Sequence, residues 1–469
     1  MKKCPKCDRT YSDESLVFCL EDESLLSYQE ADRTLILPSE KVSLITQKET
    51  GVVEKKGFKI ETTALRAYTM FGALIFIWIF FHYATNNNSP EFLNVGEHFR
   101  VFFSGFINFF KNIFLGTDLS SWISDGIFLT PRNLSNLMLQ TAVTGIIAVG
   151  MLMVIVSGNI DLSVGSVLGL AGGVAAIILT SWGYPLPVAI IGAIAVATII
   201  GVFQGFLTAY LNIPAFIVTL GGLLAWRGAI KGISQSETIP IADASFKQIG
   251  QGYIQPMIGW VLAAVAILAI LYFAVGRAKA EKEYGIGEGN IGKEMLKSLL
   301  PIGGVVLFIF VMNSYAGVPI PVLILLAVAL VGFFITNNTT FGRYLYAIGG
   351  NADAARLSGI NNKANIVKVF AFLGALTGIA ALIFTARVGS AAPDAGVLKE
   401  LDAIAACVIG GASLMGGRGT VFGACLGALI MASLDNGMSL LNVRDFMQEL
   451  TKGAILVLAV GLDMVGRRN

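Results

Sequence analysis

Val156-Ser-Gly-Asn-Ile-Asp-Leu-Ser-Val-Gly165 interrupts an apolar stretch that begins near Leu134 and resumes as far as Trp182. Each flank is long enough to cross a hydrocarbon core of roughly 30 Å, so the polar segment reads as a break between two spans. The same device returns late in the chain as Gly410-Gly-Ala-Ser-Leu-Met-Gly-Gly-Arg-Gly419, again followed by a Gly/Ala-rich apolar helix. Interrupted spans in corresponding positions point to transporter repeats around a central pathway. Gly165, Gly169, Gly172 and Gly173 recur near helical spacing and let helices pack closely. For most of the 53 glycines that packing role is the better reading.

Working outward, the whole chain carries the same message. Its 469 residues are 55% hydrophobic and 14% charged, with a mean hydropathy of +0.72. A soluble domain usually carries about 25% charged residues, so the missing charge calls for a solvent that does not demand it, which is lipid. A net charge of +2 gives no reason to expect a nucleic-acid partner. Three of the five cysteines fall in the first nineteen residues, and Cys407 and Cys425 lie in apolar runs, a poor disulfide framework. The first sixty residues are polar and read as no signal peptide, so the N-terminus is expected to stay in the cytoplasm.

The composition breaks near residue 60. Residues 1–26 form a cysteine-bearing, ribbon-like element, residues 27–61 a charged linker, and residues 62–469 the membrane domain. Spans are expected near Ala64–Tyr83, Leu134–Val156, Val164–Trp182, Leu186–Leu211 and Ile213–Ile233. Others follow near Ile258–Val275, Leu299–Met312, Pro319–Thr336 and Ala364–Thr385, and the last near Leu401–Leu414, Val421–Leu434 and Met447–Met464. The fold class is therefore an all-α polytopic membrane protein of ten to twelve spans, broken helices included.

Charged loops orient those spans. Arg277, Lys279, Lys282, Lys293 and Lys297 crowd one loop, and Arg343, Arg356 and Lys363 another, while Asn313–Val318 between them has no basic residue. Both basic loops, and with them Arg467 and Arg468, are expected on the cytoplasmic side. Ala84–Arg132 then lies outside, and its stretch Phe99–Phe114 reads as an amphipathic helix on the membrane or as an extra buried helix pair.

Few motifs carry chemistry. Gly287-Glu-Gly-Asn-Ile-Gly-Lys293 approaches a phosphate loop, but it joins two spans and ends on Glu294 where a hydroxyl is needed. No nucleotide is expected on this chain, and any ATP chemistry belongs to a partner. His82 and His98 have no cluster of metal ligands around them, and no acid/base or nucleophilic constellation is apparent, so the chain is not expected to be an enzyme. Cys4-Pro-Lys-Cys7 could grip zinc from one turn, with Cys19 third and Asp22 where a fourth thiolate would stand; a metal-free loop is the alternative. Asp161 is an ionisable group in a membrane region, which marks a pathway or gate by default. Its place in a turn also suits capping of the next helix. Asn159, Asp161 and Ser413 are the candidate pathway residues.

Gly349-Gly-Asn-Ala-Asp-Ala-Ala-Arg-Leu-Ser-Gly359 reads as a short helix between two spans. Asn351 caps its start, Asp353 suits the first turn, and Arg356 and Gly359 suit the end. Gly350, Asn351, Ala354, Ala355, Arg356, Leu357 and Gly359 are expected to form a coupling element, with small Ala354 and Ala355 pressing into a partner's groove and Leu357 anchoring it.

With these residues in view, the membrane domain resembles the sugar permeases of bacterial ABC importers, the ribose/galactose/xylose type. The likeness rests on Ile155–Gly165, Ile213-Pro-Ala-Phe-Ile-Val-Thr219, Phe341–Ile360, and Glu400-Leu-Asp-Ala-Ile-Ala-Ala-Cys-Val-Ile-Gly-Gly411 continuing to Gly416-Gly-Arg-Gly419. Within the family it looks most like the xylose permeases, through the basic insert Arg277–Lys297, Met312-Asn-Ser-Tyr315 and Ala432-Ser-Leu-Asp-Asn-Gly-Met438. The N-terminal ribbon and the insertion from about Pro90 to Gly126 depart from the usual pattern. The resemblance implies a homodimer in the bacterial inner membrane, two cytoplasmic ATPase subunits and an external, periplasmic sugar-binding protein. Alternating access would then be driven by the partner's ATP. Rival readings are an ion-coupled sugar transporter, which should show more intramembrane carboxylates than Asp161 and Asp402, and a membrane-anchored zinc-ribbon scaffold or sensor, which needs no interrupted helices.

Overall fold

Helix after helix in this chain begins where a proline or a small polar side chain sits before an apolar run. In the computed structural model, which describes residues 2–3, 10–11, 27–28, 62–86, 126–285 and 290–465, the chain divides into two units, Met1–Ile60 and Glu61–Asn469. In the first unit β1 (Lys2–Lys3) pairs antiparallel with both β2 (Thr10–Tyr11) and β3 (Ser27–Tyr28). Cys4, Cys7, Cys19 and Asp22, most of the linker, His98 and nearly all of the insertion after residue 86 lie outside the described residues.

The second unit is all-α and polytopic. Its first five helices are α1 (Thr62–Asn86), α2 (Pro131–Val156), α3 (Val164–Ala176), α4 (Leu186–Tyr210) and α5 (Ala215–Ile233). A short α6 (Ala244–Gln251) precedes α7 (Pro256–Tyr284), α8 (Ile291–Asn313) and α9 (Ile320–Asn338). Two short helices, α10 (Thr340–Gly350) and α11 (Ala352–Leu357), lead into α12 (Asn362–Val388). The chain ends with α13 (Lys399–Ile409), α14 (Val421–Leu440) and α15 (Asp445–Val465). Among the described residues, nine helical segments are long and apolar enough to cross a membrane, and α1 contributes a shorter apolar stretch, Thr69–Thr85.

Proline opens α2, α4, α7 and α9 because the first turn of a helix has no use for its N–H. Past Ala176 the last turn of α3 widens: Trp182 N–H bonds Ile177 O at 3.0 Å, five residues back. At the same end β4 (Ile239–Pro240) pairs with β5 (Ser390–Ala391), fastening the connection after α5 to the end of α12. His82 accepts from Leu129 N–H at 3.3 Å, and Thr85 Oγ1 from Ile127 N–H at 3.2 Å, so the end of α1 holds the return of the chain into α2.

The expected span near Leu401–Leu414 is corrected to a half-crossing. α13 has 11 residues, about 16 Å at 1.5 Å per residue, and the glycines at 410 and 411 stop it. α8 starts earlier than Leu299 because Asn290 caps it, accepting from Gly292 N–H at 2.9 Å, and a Lys297–Glu294 pair carries its polar first turns.

The core is built on α2, buried along nearly its whole length and touching α8, α9, α12, α13 and α14. The most extensive helix contact joins α4 to α12. There Ala193 and Ala197 are fully buried, and a Cβ on Gly374 would run into the Ala197 carbonyl oxygen. Packing in lipid gains little from water exclusion, so such close backbone approach supplies the attraction. Overpacking a filled site costs about 1–3 kcal/mol, and more where the obstacle is backbone. Gly374→Leu should therefore lower the thermal midpoint in detergent and the yield of monodisperse protein. Gly303→Ala, at a site with open space around it, should leave both unchanged.

Candidate translocation site

The two polar breaks meet. α2 ends at Val156, where Gly158 N–H bonds Ile155 O at 2.9 Å and Asn159 N–H bonds Val154 O at 3.1 Å, with Gly158 at φ +82°. That left-handed residue is the usual way to stop a helix. The leftover Val156 carbonyl accepts from Gly417 N–H of the second break at 2.9 Å. Gly416 packs on Gly158 and Gly349, and a Cβ on Gly349 would collide with the Val156 oxygen. Only hydrogen fits among these backbones. Tyr346 of α10 adds a hydrogen bond from its hydroxyl to Gly419 O at 2.7 Å. Both breaks are thus attached to the end of the bundle that carries α10 and α11.

Asp161 is 3% exposed. Its Oδ1 accepts from both the N–H and the hydroxyl of Ser163, each at 2.7 Å, and Gln204 Nε2 of α4 donates to the same hydroxyl at 2.9 Å. The carboxylate therefore builds the turn that enters α3 and ties it to α4. Ser166 donates to Leu223 O at 2.8 Å, adding α5 to the junction. Asn159 turns back locally, its Nδ2 donating to Ser157 Oγ at 3.1 Å. Ser413 is buried and shapes the second break: its N–H donates to Arg418 O at 3.0 Å and its Oγ accepts from Met415 N–H at 3.2 Å. The three candidate pathway residues lie in two breaks that the fold brings into one region.

α11 starts at Asn351, whose Oδ1 accepts from Ala354 N–H at 2.9 Å, and ends before Gly359 at φ +82°. Asp353 and Arg356 pair on its exposed side at 3.4 Å, and Asn362 Nδ2 ties it to α12 through Ala352 O at 2.8 Å. Gly350, Ala354 and Arg356 are exposed, and Leu357 is 84% exposed. Ala355 is different. At 4% exposure it faces its own chain, so its small side chain seats α11 on the bundle, and the surface open to a partner is the Ala354, Arg356 and Leu357 side.

Sequence reasoning missed a second polar assembly, one that lies away from α10 and α11. Lys399 Nζ is 2.6 Å from Asp402 Oδ2, and Lys452 Nζ is 3.1 Å from Asp402 Oδ1 and 2.9 Å from Asp435 Oδ1. The signal was present in the i, i+3 spacing of Lys399 and Asp402 and in two lone charges, Asp435 and Lys452, within apolar runs. Among the described residues, no group of three or more His, Cys, Asp or Glu is placed to hold a metal.

The Asp161 geometry has a direct test. Asn keeps a side-chain oxygen able to accept from the Ser163 N–H and hydroxyl, so Asp161→Asn should retain near-normal stability and uptake. Asp161→Ala leaves a buried Ser163 N–H unpaired, a cost of about 1–3 kcal/mol, readable as a lower thermal midpoint. Collapse of uptake in a well-folded Asp161→Asn protein would assign the charge itself to gating.

Comparison with known proteins agrees with this architecture. Residues 133–460 match the family model described as "Branched-chain amino acid transport system / permease component". The xylose transport system permease protein XylH of Haemophilus influenzae is 47% identical over 346 residues, 74% of this chain and 92% of that protein. XylH of Escherichia coli K12 is 46% identical over 353 residues, covering 74% of this chain and 89% of its own length. The ribose import permease protein RbsC of the same strain is 37% identical over 337 residues, 72% of this chain and 87% of that protein. No solved structure matches the chain. With a family model spanning most of the chain and long relatives well above 30% identity, the protein belongs to the family of permease components of the branched-chain amino acid transport type, on the branch that holds the sugar permeases.

Proposed function

We propose that this chain is the membrane-spanning permease subunit of an ATP-driven importer for a pentose, D-xylose by its relatives. The observation that carries the reading is the 46–47% identity to xylose permeases over about nine-tenths of their length. The geometry supports it: interrupted helices are joined to a short exposed helix, as expected of a pathway driven from outside the chain.

The end of the bundle bearing α10 and α11 is taken as cytoplasmic, since Arg343, Arg356 and Lys363 lie there. Both termini would share that side of a bacterial inner membrane. A cytoplasmic ATPase docks on α11, ATP being hydrolysed there, and an external sugar-binding protein delivers the sugar on the opposite side. Two copies of this chain form the permease. Motion of α11 passes to α10, and through the Gly349 contact to both breaks at once. Cys4, Cys7, Cys19 and Asp22 are proposed as ligands of a structural zinc in an appendage outside the transport pathway.

Reconstituted with its ATPase and binding protein, the chain should import D-xylose, and alone it should neither hydrolyse ATP nor concentrate sugar. Leu357→Asp should weaken ATPase association by about 2 kcal/mol, roughly 30-fold, as for an exposed apolar anchor, with membrane insertion unchanged. Normal assembly and uptake in that variant would remove α11 as the docking helix.

For the N-terminal element, metal analysis should find about one zinc per chain, as a four-ligand site requires. Deletion of residues 1–60 should leave uptake largely intact. A metal-free protein whose three thiols alkylate freely would dismiss the zinc.

A further inference from the structure

After α12 and β5 the chain turns back into the bundle as a non-helical segment, residues 392–398, before the half-crossing α13 begins. We infer that Arg227 of α5 is a positioning residue for transport, and that the segment it holds bars free passage of sugar along one face of the subunit. The inference rests on the sugar-permease reading and names a moving part for it.

Gly165 and Gly169 lie in the first two turns of α3, and both press on the segment. A Cβ on Gly169 would stand 2.6 Å from Ala395 O, and one on Gly396 would stand 2.4 Å from Gly165 O. Backbone that has left the helix at this depth cannot face hydrocarbon; it lies against protein or lines water. Two carbonyls set free there, Pro393 O and Ala395 O, are both taken by Arg227, whose Nη1 donates to them at 2.9 and 2.6 Å. Ionisable groups at such depth are costly, and here Glu400 and Asp394 balance the guanidinium. The other side of the segment is open, with Asp394 exposed and Val397 53% exposed. By the same rule that side borders water or another subunit and not lipid. It looks out of the bundle, not into it.

Strain marks the segment as more than filling. Leu398 holds φ +65°, left-handed backbone that a leucine avoids, and α13 begins there without a side-chain cap. Such residues persist only where their surroundings hold them, and they gather at switch regions. The holder is α5. Nearer its start, buried Thr219 donates to Ile160 O of the first break at 3.3 Å, and Arg227 lies about 12 Å further along the same helix at 1.5 Å per residue. α5 thus grips the break with one turn and the segment with another. Movement of the break, to which α10 is attached, reaches the segment through one rigid rod.

The test uses the complete transporter, with ATPase and binding protein, in proteoliposomes. Arg227→Leu keeps bulk and removes the donors, and D-xylose loaded inside should then leak out without ATP several-fold faster than from wild type. Arg227→Lys, which can still donate to the carbonyls, should restore most of the tightness. Gly396→Ala, which pushes the segment off Gly165, should leak as Arg227→Leu does. A variant that is merely less stable loses uptake and ATP hydrolysis together and gains no leak; that result in both would overturn the inference. In the permease carrying Val397→Cys, a small water-soluble thiol reagent should modify residue 397, read by mass spectrometry, at rates that differ several-fold with and without ATP. No modification, or equal rates in the two conditions, would overturn the moving segment even where the other variants fail to assemble. Absence of D-xylose uptake by the wild-type complex would instead overturn the functional reading, while the thiol measurement still decides the movement.

Discussion

A backbone inside hydrocarbon has no water to bond, so every N–H and C=O released by a broken helix must find its partner within the protein. In this chain the two breaks solve that problem for each other. Val156 loses its helical partner where α2 stops, and Gly417 supplies the missing N–H from the other break. The contact requires glycine at Gly349 and Gly416, because the backbones touch where a side chain would stand, while Gly158 is favoured by its left-handed φ of +82°. The joining of the breaks, the attachment of α10, and the seating of α11 all follow from it.

This constraint explains why so much hydrogen bonding at the site is local. Ser157 returns to Val154 O at 2.7 Å, Asp161 serves Ser163, and Ser413 serves its own loop. Polar residues that look like pathway linings in a sequence are here partly the fabric of the turns. A rigid junction is what a two-state device needs at its pivot, since packed elements switch between discrete arrangements and do not bend continuously.

Much of this was legible in the chain itself. Hydropathy placed most spans within a few residues of their helices, and the cap at Asn351 and the stop at Gly359 were readable because capping is a local interaction. What escaped was what distance in sequence conceals. A six-residue helix is too short for periodicity to reveal that Ala355 turns inward. α13 looked like a span because its apolar residues continue through Leu414, although the glycines at 410 and 411 end the helix. Nor could spacing show that the breaks meet, or that Lys452 and Asp435 reach Asp402, because those pairings exist only once α13, α14 and α15 are packed.

The series Lys399–Asp402–Lys452–Asp435 contains two cations and two anions. Moving one elementary charge through the whole membrane potential involves about 2.3 kcal/mol per 100 mV. A set of charges that sums to zero and shifts together does no such work, and a sugar carries no charge either. As a unit, the ion-paired series is therefore indifferent to the voltage across the membrane.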